Sequence, residues 1–186
     1  MGLSQRERAT LLALARSAIK THLRGEPAPQ PGVLTERLEL DCGAFVTLHE
    51  NGNLRGCIGT FTSDEPLYRT VAEMALAAAT KDPRFAPVTP EELDEINLEI
   101  SVLSPLREVS DPEEIEVGRH GIYIVRGDRA GVLLPQVATE WGFDRTGFLD
   151  ATCNKAGLPA GCWKEAGTRV LVFEAEVFGE EAPAED

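Results

Sequence analysis

The stretch Asn51-Gly52-Asn53-Leu54-Arg55-Gly56-Cys57-Ile58-Gly59 sets a thiol beside a guanidinium between two glycines, directly after a tight-turn dipeptide. Asn-Gly suits both positive-φ positions of a type I′ turn, so residues 43–49 and 53–61 read as paired antiparallel strands. With Asn51 and Gly52 as the loop, Val46 is placed opposite Cys57 and Leu48 opposite Arg55, all four on one face. Phe45, Thr47, Leu54 and Ile58 take the other. Gly56 and Gly59 have no Cβ, which opens the backbone beside Cys57 to a ligand or to another segment.

Upstream, Ser4 and Glu7 form a capping-box pattern ahead of Leu11, Leu14, Ala15, Ala18, Ile19 and Leu23, an amphipathic helix stopped by Gly25. The alternating prolines of residues 26–32 favour an extended connection. Downstream, residues 63–66 start a helix whose Leu67, Val71, Met74, Ala75 and Ala78 share a face, and Asp82-Pro83 ends it. Thr89-Pro90-Glu91-Glu92 is a second capping box that opens a short helical turn. In residues 96–103, Ile96, Leu98, Ile100 and Val102 alternate with Asn97, Glu99 and Ser101, which predicts a strand with one buried face. A second hairpin is expected around Gly127-Asp128, then helices over 135–141 and 144–156 and a last strand over 168–178. The acidic tail, residues 180–186, is expected to fray. Residues 43–48 and 121–126 echo one another, each opening a hairpin followed by a helix.

The 186 residues are enough for one domain, or for two intimately packed halves, with a real core. Eighteen Lys and Arg against thirty-one Asp and Glu give a formal charge of −13, which repels phosphate backbones and anionic lipid, so neither nucleic acid nor membrane is an expected partner. No apolar run reaches the roughly 20 residues of a membrane span and no signal peptide is apparent, so a soluble, cytoplasmic protein is expected. Cys42, Cys57, Cys153 and Cys162 form no C-x-x-C pair, and the histidines are scattered. No metal site is read, and in a reducing cytoplasm all four cysteines are expected as thiols. No P-loop or dinucleotide fingerprint appears, so no cofactor is expected.

The first-hairpin motif resembles the AMMECR domain family when taken with Asp82-Pro83-Arg84-Phe85, residues 98–106 (Leu-Glu-Ile-Ser-Val-Leu-Ser-Pro-Leu), residues 133–138 (Leu-Leu-Pro-Gln-Val-Ala) and residues 155–159 (Lys-Ala-Gly-Leu-Pro). In bacteria and archaea that family is the protein A component of the AmmeMemoRadiSam system. The resemblance runs from about Phe45 to about Trp163. It implies an α+β fold of two strand-rich α/β repeats around a barrel-like, mainly antiparallel sheet with flanking helices. It also implies pathway partners, a Memo-like protein and a radical-SAM enzyme, but hands over no activity.

From the residues themselves, Arg55 lies two positions before Cys57, where a guanidinium favours thiolate or holds an anionic ligand. The plainer reading makes Cys57 a small buried hydrophobe. A cysteine nucleophile wants a base, yet on the expected register His49 points to the opposite face, and His120 is unplaced. Glu99 and Ser101 occupy either a solvated sheet face or, if that strand neighbours the first hairpin, a site in which Glu99 orients Arg55. Gln136 follows Pro135 at a helix start, where free N–H groups favour an anion. Cys153 belongs with Phe148, Leu149 and Ala156 on a core-facing helical side, and Trp163 either walls a pocket or packs on the core. The expected ligand set is Arg55, Gly56, Glu99, Ser101 and Gln136, for a small organic or peptide-derived substrate. The rival readings are an enzyme that uses Cys57 as nucleophile or redox thiol, and an interaction module without a pocket.

Overall fold

In the computed structural model, which describes residues 2–29 and 31–180, the capping box forms as expected. Ser4 accepts from the Glu7 amide, and Glu7 Oε2 accepts from the Ser4 amide and hydroxyl, both at 2.7 Å. Helix α1 (Gln5–Leu23) follows, with Leu11, Leu14, Ala15, Ala18 and Ile19 buried. Glu7 is itself buried and takes a third bond from the Thr35 hydroxyl at 2.6 Å. Hydrogen bonds from Thr35 and then Ser4 lower its pKa to about 2, against the opposing cost of burial.

The chain divides into two compact units, one built on residues up to Leu103 and again from Glu176, the other on Ser104–Ala175. In the first, β1 (Ala44–Glu50) pairs antiparallel with β2 (Asn53–Thr60) on one side and β3 (Ile96–Leu103) on the other. The period-two burial of β1 and β3 puts Ala44, Val46, Leu48, Leu98 and Ile100 into a core shared with α1 and with α2 (Leu67–Thr80). Asn51 at φ 50 and Gly52 at φ 77 make the expected positive-φ turn.

The second unit repeats this plan. Strand β5 (His120–Arg126) pairs antiparallel with β6 (Arg129–Leu133) and with β7 (Arg169–Gly179), whose other edge carries the short β4 (Arg107–Glu108). The helices α3 (Pro135–Glu140) and α4 (Arg145–Lys155) then follow the hairpin, as α2 follows the first. Ile122, Ile124, Phe148, Leu149 and Val172 form this unit's own core. One detail recurs. A Cβ on Gly56 would run into the Ala78 carbonyl of α2, and one on Gly131 into the Ala156 backbone at the end of α4. In each unit a glycine on the hairpin's second strand lets the following helix approach closely. The expected α+β fold, with two strand-rich repeats and antiparallel pairing, is what the chain adopts.

Two expectations are corrected. Glu180 is held rather than frayed: its amide donates to the Leu98 carbonyl at 2.9 Å, and its carboxylate takes the Leu98 amide and the Arg16 guanidinium. Residues 181–186, the rest of the expected tail, lie outside the described residues. Cys153 is core, as read, but it is disulfide-bonded to Cys162, with 6.1 Å between the two Cα atoms. Gly161, left-handed at φ 82, turns the chain towards α4, and Asp150 Oδ1 fixes that turn through the Gly161 amide and the Trp163 indole. A pairing of positions nine residues apart depends on this turn and is invisible as spacing.

Candidate functional site

The first hairpin carries a β-bulge. The pairing runs Leu48↔Gly56 and then His49↔Leu54, so Arg55 is an extra residue on β2. The expected register is therefore displaced by one. Thr47 lies opposite Cys57, Val46 opposite Ile58, and Leu48 opposite Gly56. Because a one-residue slip exchanges the faces of a strand, Cys57 joins Phe45, Thr47 and His49 on the outer face rather than Val46 and Leu48 in the core. The Thr47 hydroxyl donates to Cys57 Sγ at 3.2 Å. His49 thus shares the face of Cys57, contrary to the sequence expectation, whereas His120 is buried and accepts from the Glu116 amide at 3.1 Å.

Strand β3 extends this face. Thr47 is flanked by Cys57 on one side and Glu99 on the other, and Phe45 by Gly59 and Ser101. Cys57, Thr47, Glu99 and Ser101 are all half-buried. Glu99 and Ser101 have no side-chain hydrogen bond or ion pair among the described residues. Glu99 lies two strands from Cys57, a separation of roughly 10 Å from strand spacing.

Arg55 does not meet Glu99. Its guanidinium forks onto Glu92, Nε to Oε1 at 2.8 Å and Nη2 to Oε2 at 3.2 Å, and its Nη1 donates to the Ala86 carbonyl at 3.0 Å. Its side chain is only 13% exposed. Glu92 also accepts from the Thr89 amide at 2.7 Å, so the capping-box carboxylate serves both its own turn and Arg55. Those bonds, Arg55 first, lower the Glu92 pKa. Gly56 is buried against α2, so it serves helix packing rather than ligand approach. Gln136 is exposed in the first turn of α3, in the second unit, and that helix has six residues, too short for its N-terminus to argue for an anion.

The cation beside Cys57 is Arg84. Asp82 Oδ2 accepts the Cys57 amide at 2.9 Å, a donor that points outward from the edge strand β2. The same carboxylate takes Arg84 Nε at 2.9 Å and Nη2 at 2.6 Å, and Nη2 also reaches the Cys57 carbonyl at 3.4 Å. Asp82's side chain is 2% exposed and Arg84's 53%. The Arg84 bonds, followed by the Cys57 amide, hold the Asp82 carboxyl well below the usual carboxylate range. Arg84's own pKa is raised, chiefly by Asp82, with the Cys57 sulfur a lesser contributor. The Phe85 ring lies 5.5 Å from the Arg84 guanidinium and 5.9 Å from that of Arg55. The Asp-Pro-Arg-Phe segment therefore covers the free edge of β2 at Cys57 while presenting an anchored, half-exposed guanidinium.

Thr47, Asp82, Arg84 and Glu92 were not read as site residues from sequence. The signal for Asp82 and Arg84 was a polar pair at a helix exit; what they touch depends on tertiary placement. Among the described residues no three His, Cys, Asp or Glu side chains gather as a metal site, and no helix is long and apolar enough to cross a membrane.

Comparison with known proteins gives the context of this site. The chain is 48% identical over 190 residues to a protein of Methanothermobacter thermautotrophicus, covering 96% of this chain and 97% of that one. It is 41% identical over 180 residues to a protein of Aquifex aeolicus, covering 93% and 92%. The crystal structure of an uncharacterised protein from Pyrococcus horikoshii matches with a TM-score of 0.82 at 40% identity, covering 99% of this chain and 96% of that one. Residues 12–178 match the AMMECR1 family model, and the chain belongs to the AMMECR1 family.

Proposed function

We propose that the chain is a binding component whose ligand, a small organic or peptide-derived substrate, lies on the outer face of β2, β1 and β3. It would work in a pathway with a Memo-like protein and a radical-SAM enzyme. The observation that carries this reading is Glu99, a half-buried carboxylate with no partner among the described residues, in a row with Thr47 and Cys57. At the far end of that row Arg84 offers a guanidinium whose Nη1 makes no hydrogen bond among the described residues. A carboxylate and a guanidinium on either side of hydroxyl and thiol groups suit a ligand with both an ammonium and a carboxylate. Glu99 and Cys57 are roughly 10 Å apart by strand spacing and Arg84 stands beyond Cys57, so bridging the two charges takes at least about three extended residues, which favours a peptide-derived molecule. Arg84, not Arg55, holds the carboxylate in this reading, since the Arg55 side chain is largely buried with all three of its nitrogens engaged by Glu92 and Ala86, whereas Arg84 is half-exposed and keeps Nη1 available.

The test is mass-spectrometric identification of molecules retained by the protein purified from cells that carry the Memo-like and radical-SAM neighbours. Wild type should retain an amine- and carboxylate-bearing molecule that Glu99→Gln and Arg84→Ala both lose while remaining folded. Retention of the same molecule by both variants would refute the assignment.

A second reading rests on the corrected register. Cys57 is half-exposed, takes a hydrogen bond from Thr47, and shares its face with His49, which suits a cysteine nucleophile. Cys57→Ser keeps the volume and removes thiolate chemistry. Full pathway output from Cys57→Ser, with output lost in Arg84→Ala, supports the binding component; the reverse supports the enzyme.

A further inference from the structure

The first unit holds a second concavity, away from the core, where the faces of α1 and α2 meet the proline-rich connection. It encloses about 230 Å³. Its floor is Leu14 and Ala18 of α1 with Ala72 and Leu76 of α2; the two alanines leave the hollow that larger residues would fill. Pro29, Pro31 and the Tyr68 ring wall it. This surface is mainly apolar, yet Glu26 and Glu73 stand exposed among the lining residues, and neither carboxylate has a hydrogen bond or ion pair among the described residues. Among the described residues no lysine or arginine lines the hollow, and His22 is the other ionisable lining residue beside Tyr68. Arg69, next to Tyr68 in sequence, is taken by Glu65 and the Tyr68 hydroxyl.

We propose that this hollow is a binding site for an organic cation, a primary amine carried on one aromatic ring or a branched alkyl group. The volume, below the roughly 300 Å³ at which drug-sized sites begin, limits the buried body to about one ring. Burial of that body against Leu14, Ala18, Ala72 and Leu76 supplies the attraction. Charge selects the head group. Two unpaired carboxylates on a chain of net charge −13 attract an ammonium and repel a carboxylate at the same position.

The test is a ¹H–¹⁵N correlation titration of the full chain at pH 8, above the ordinary titration range of imidazole. The probes are phenethylamine, 2-phenylethanol and phenylacetate, which share a body and differ in charge. Phenethylamine should give saturable shifts confined to α1, α2, Glu26 and Ala28, binding at least about fivefold tighter than the alcohol, with phenylacetate weaker than either. Added salt should narrow the gap between amine and alcohol. Glu73→Gln, an exposed change that spares the fold, should bring the amine down towards the alcohol, and Ala72→Leu should abolish binding of both. Equal binding of all three probes, shifts scattered over the surface, or no saturable binding of the amine would each overturn the proposal.

Discussion

Replacing Gly56 by alanine separates two roles for the glycine beside Cys57, ligand approach and helix packing. An added Cβ would sit far inside 3.0 Å of the Ala78 carbonyl oxygen, a separation real Cβ atoms essentially never show, at 3.3 Å from its carbon and 3.6 Å from Leu48 Cδ1. The oxygen belongs to helix backbone and cannot swing aside like a side-chain tip. Either α2 or the bulged strand must therefore move. The surroundings resist, since Leu48, Ala75, Ala78 and Ala79 are at most 2% exposed. Overpacking of this kind costs about 1–3 kcal/mol. For a chain of this length that corresponds to a loss of roughly 2–12 °C in Tm. Differential scanning calorimetry reads the change, and Gly32→Ala is the control, because a Cβ there meets nothing within 4 Å and its φ is not in the positive region. A Gly56→Ala melting temperature within about 1 °C of wild type would refute the packing argument, since overpacking at backbone is not absorbed so cheaply.

Four further outcomes follow from the same geometry. Thiol titration in denaturant without reductant should find two reactive thiols, Cys42 and Cys57, and four would refute the Cys153–Cys162 bond. Reducing that disulfide, which closes a span of nine residues, should cost about 2.6 kcal/mol by loop entropy and lower the Tm of the reduced protein accordingly. Glu7 titrates near 4.5 when unfolded and about 2 when folded, so its contribution, about 3 kcal/mol at most, is complete above pH 4.5 and lost as pH falls towards 2. Urea denaturation should show Glu7→Gln with a flatter stability–pH curve in that window, and an unchanged slope would contradict the assignment. Arg55→Lys should cost about 1–2 kcal/mol, because an ammonium cannot reproduce the fork onto Glu92 and the bond to Ala86 together; equal denaturation midpoints would count against it.

Local chemistry was legible in the sequence wherever a few neighbouring residues decide the outcome. The Ser4–Glu7 box, the Asn51-Gly52 turn and the alternation over residues 96–103 each encode their element with contacts inside the element itself. The bulge at Arg55 was not legible. Without the bulge Arg55 would share the face of Val46 and Leu48, which is the core, but the hairpin pattern alone does not say which face is buried. That single extra residue moved Cys57 from the face of Val46 and Leu48 to that of Thr47 and His49. Arg55 and Glu99 were expected to pair because both lie near the first hairpin, but β3 adds on the β1 side, away from β2. Glu92, already placed by its own turn, lay nearer to hand. Asp82 and Arg84 belong to the motif that carried the family resemblance, yet their roles needed the loop's position along the strand edge. The disulfide likewise depends on the turn at Gly161 rather than on spacing.

The most direct test of the central claim, that a small ligand occupies the outer face around Cys57, is the alkylation rate of that cysteine. Native protein is treated with iodoacetamide with and without the low-molecular-weight fraction of cells that express a Memo-like protein and a radical-SAM enzyme. Cys42, buried and with its pKa raised first by burial, should remain unlabelled in both and serves as the internal reference. The account predicts that Cys57 labels in the free protein, that the fraction slows it several-fold, and that Glu99→Gln removes the protection. An unchanged Cys57 rate in the presence of that fraction would contradict it.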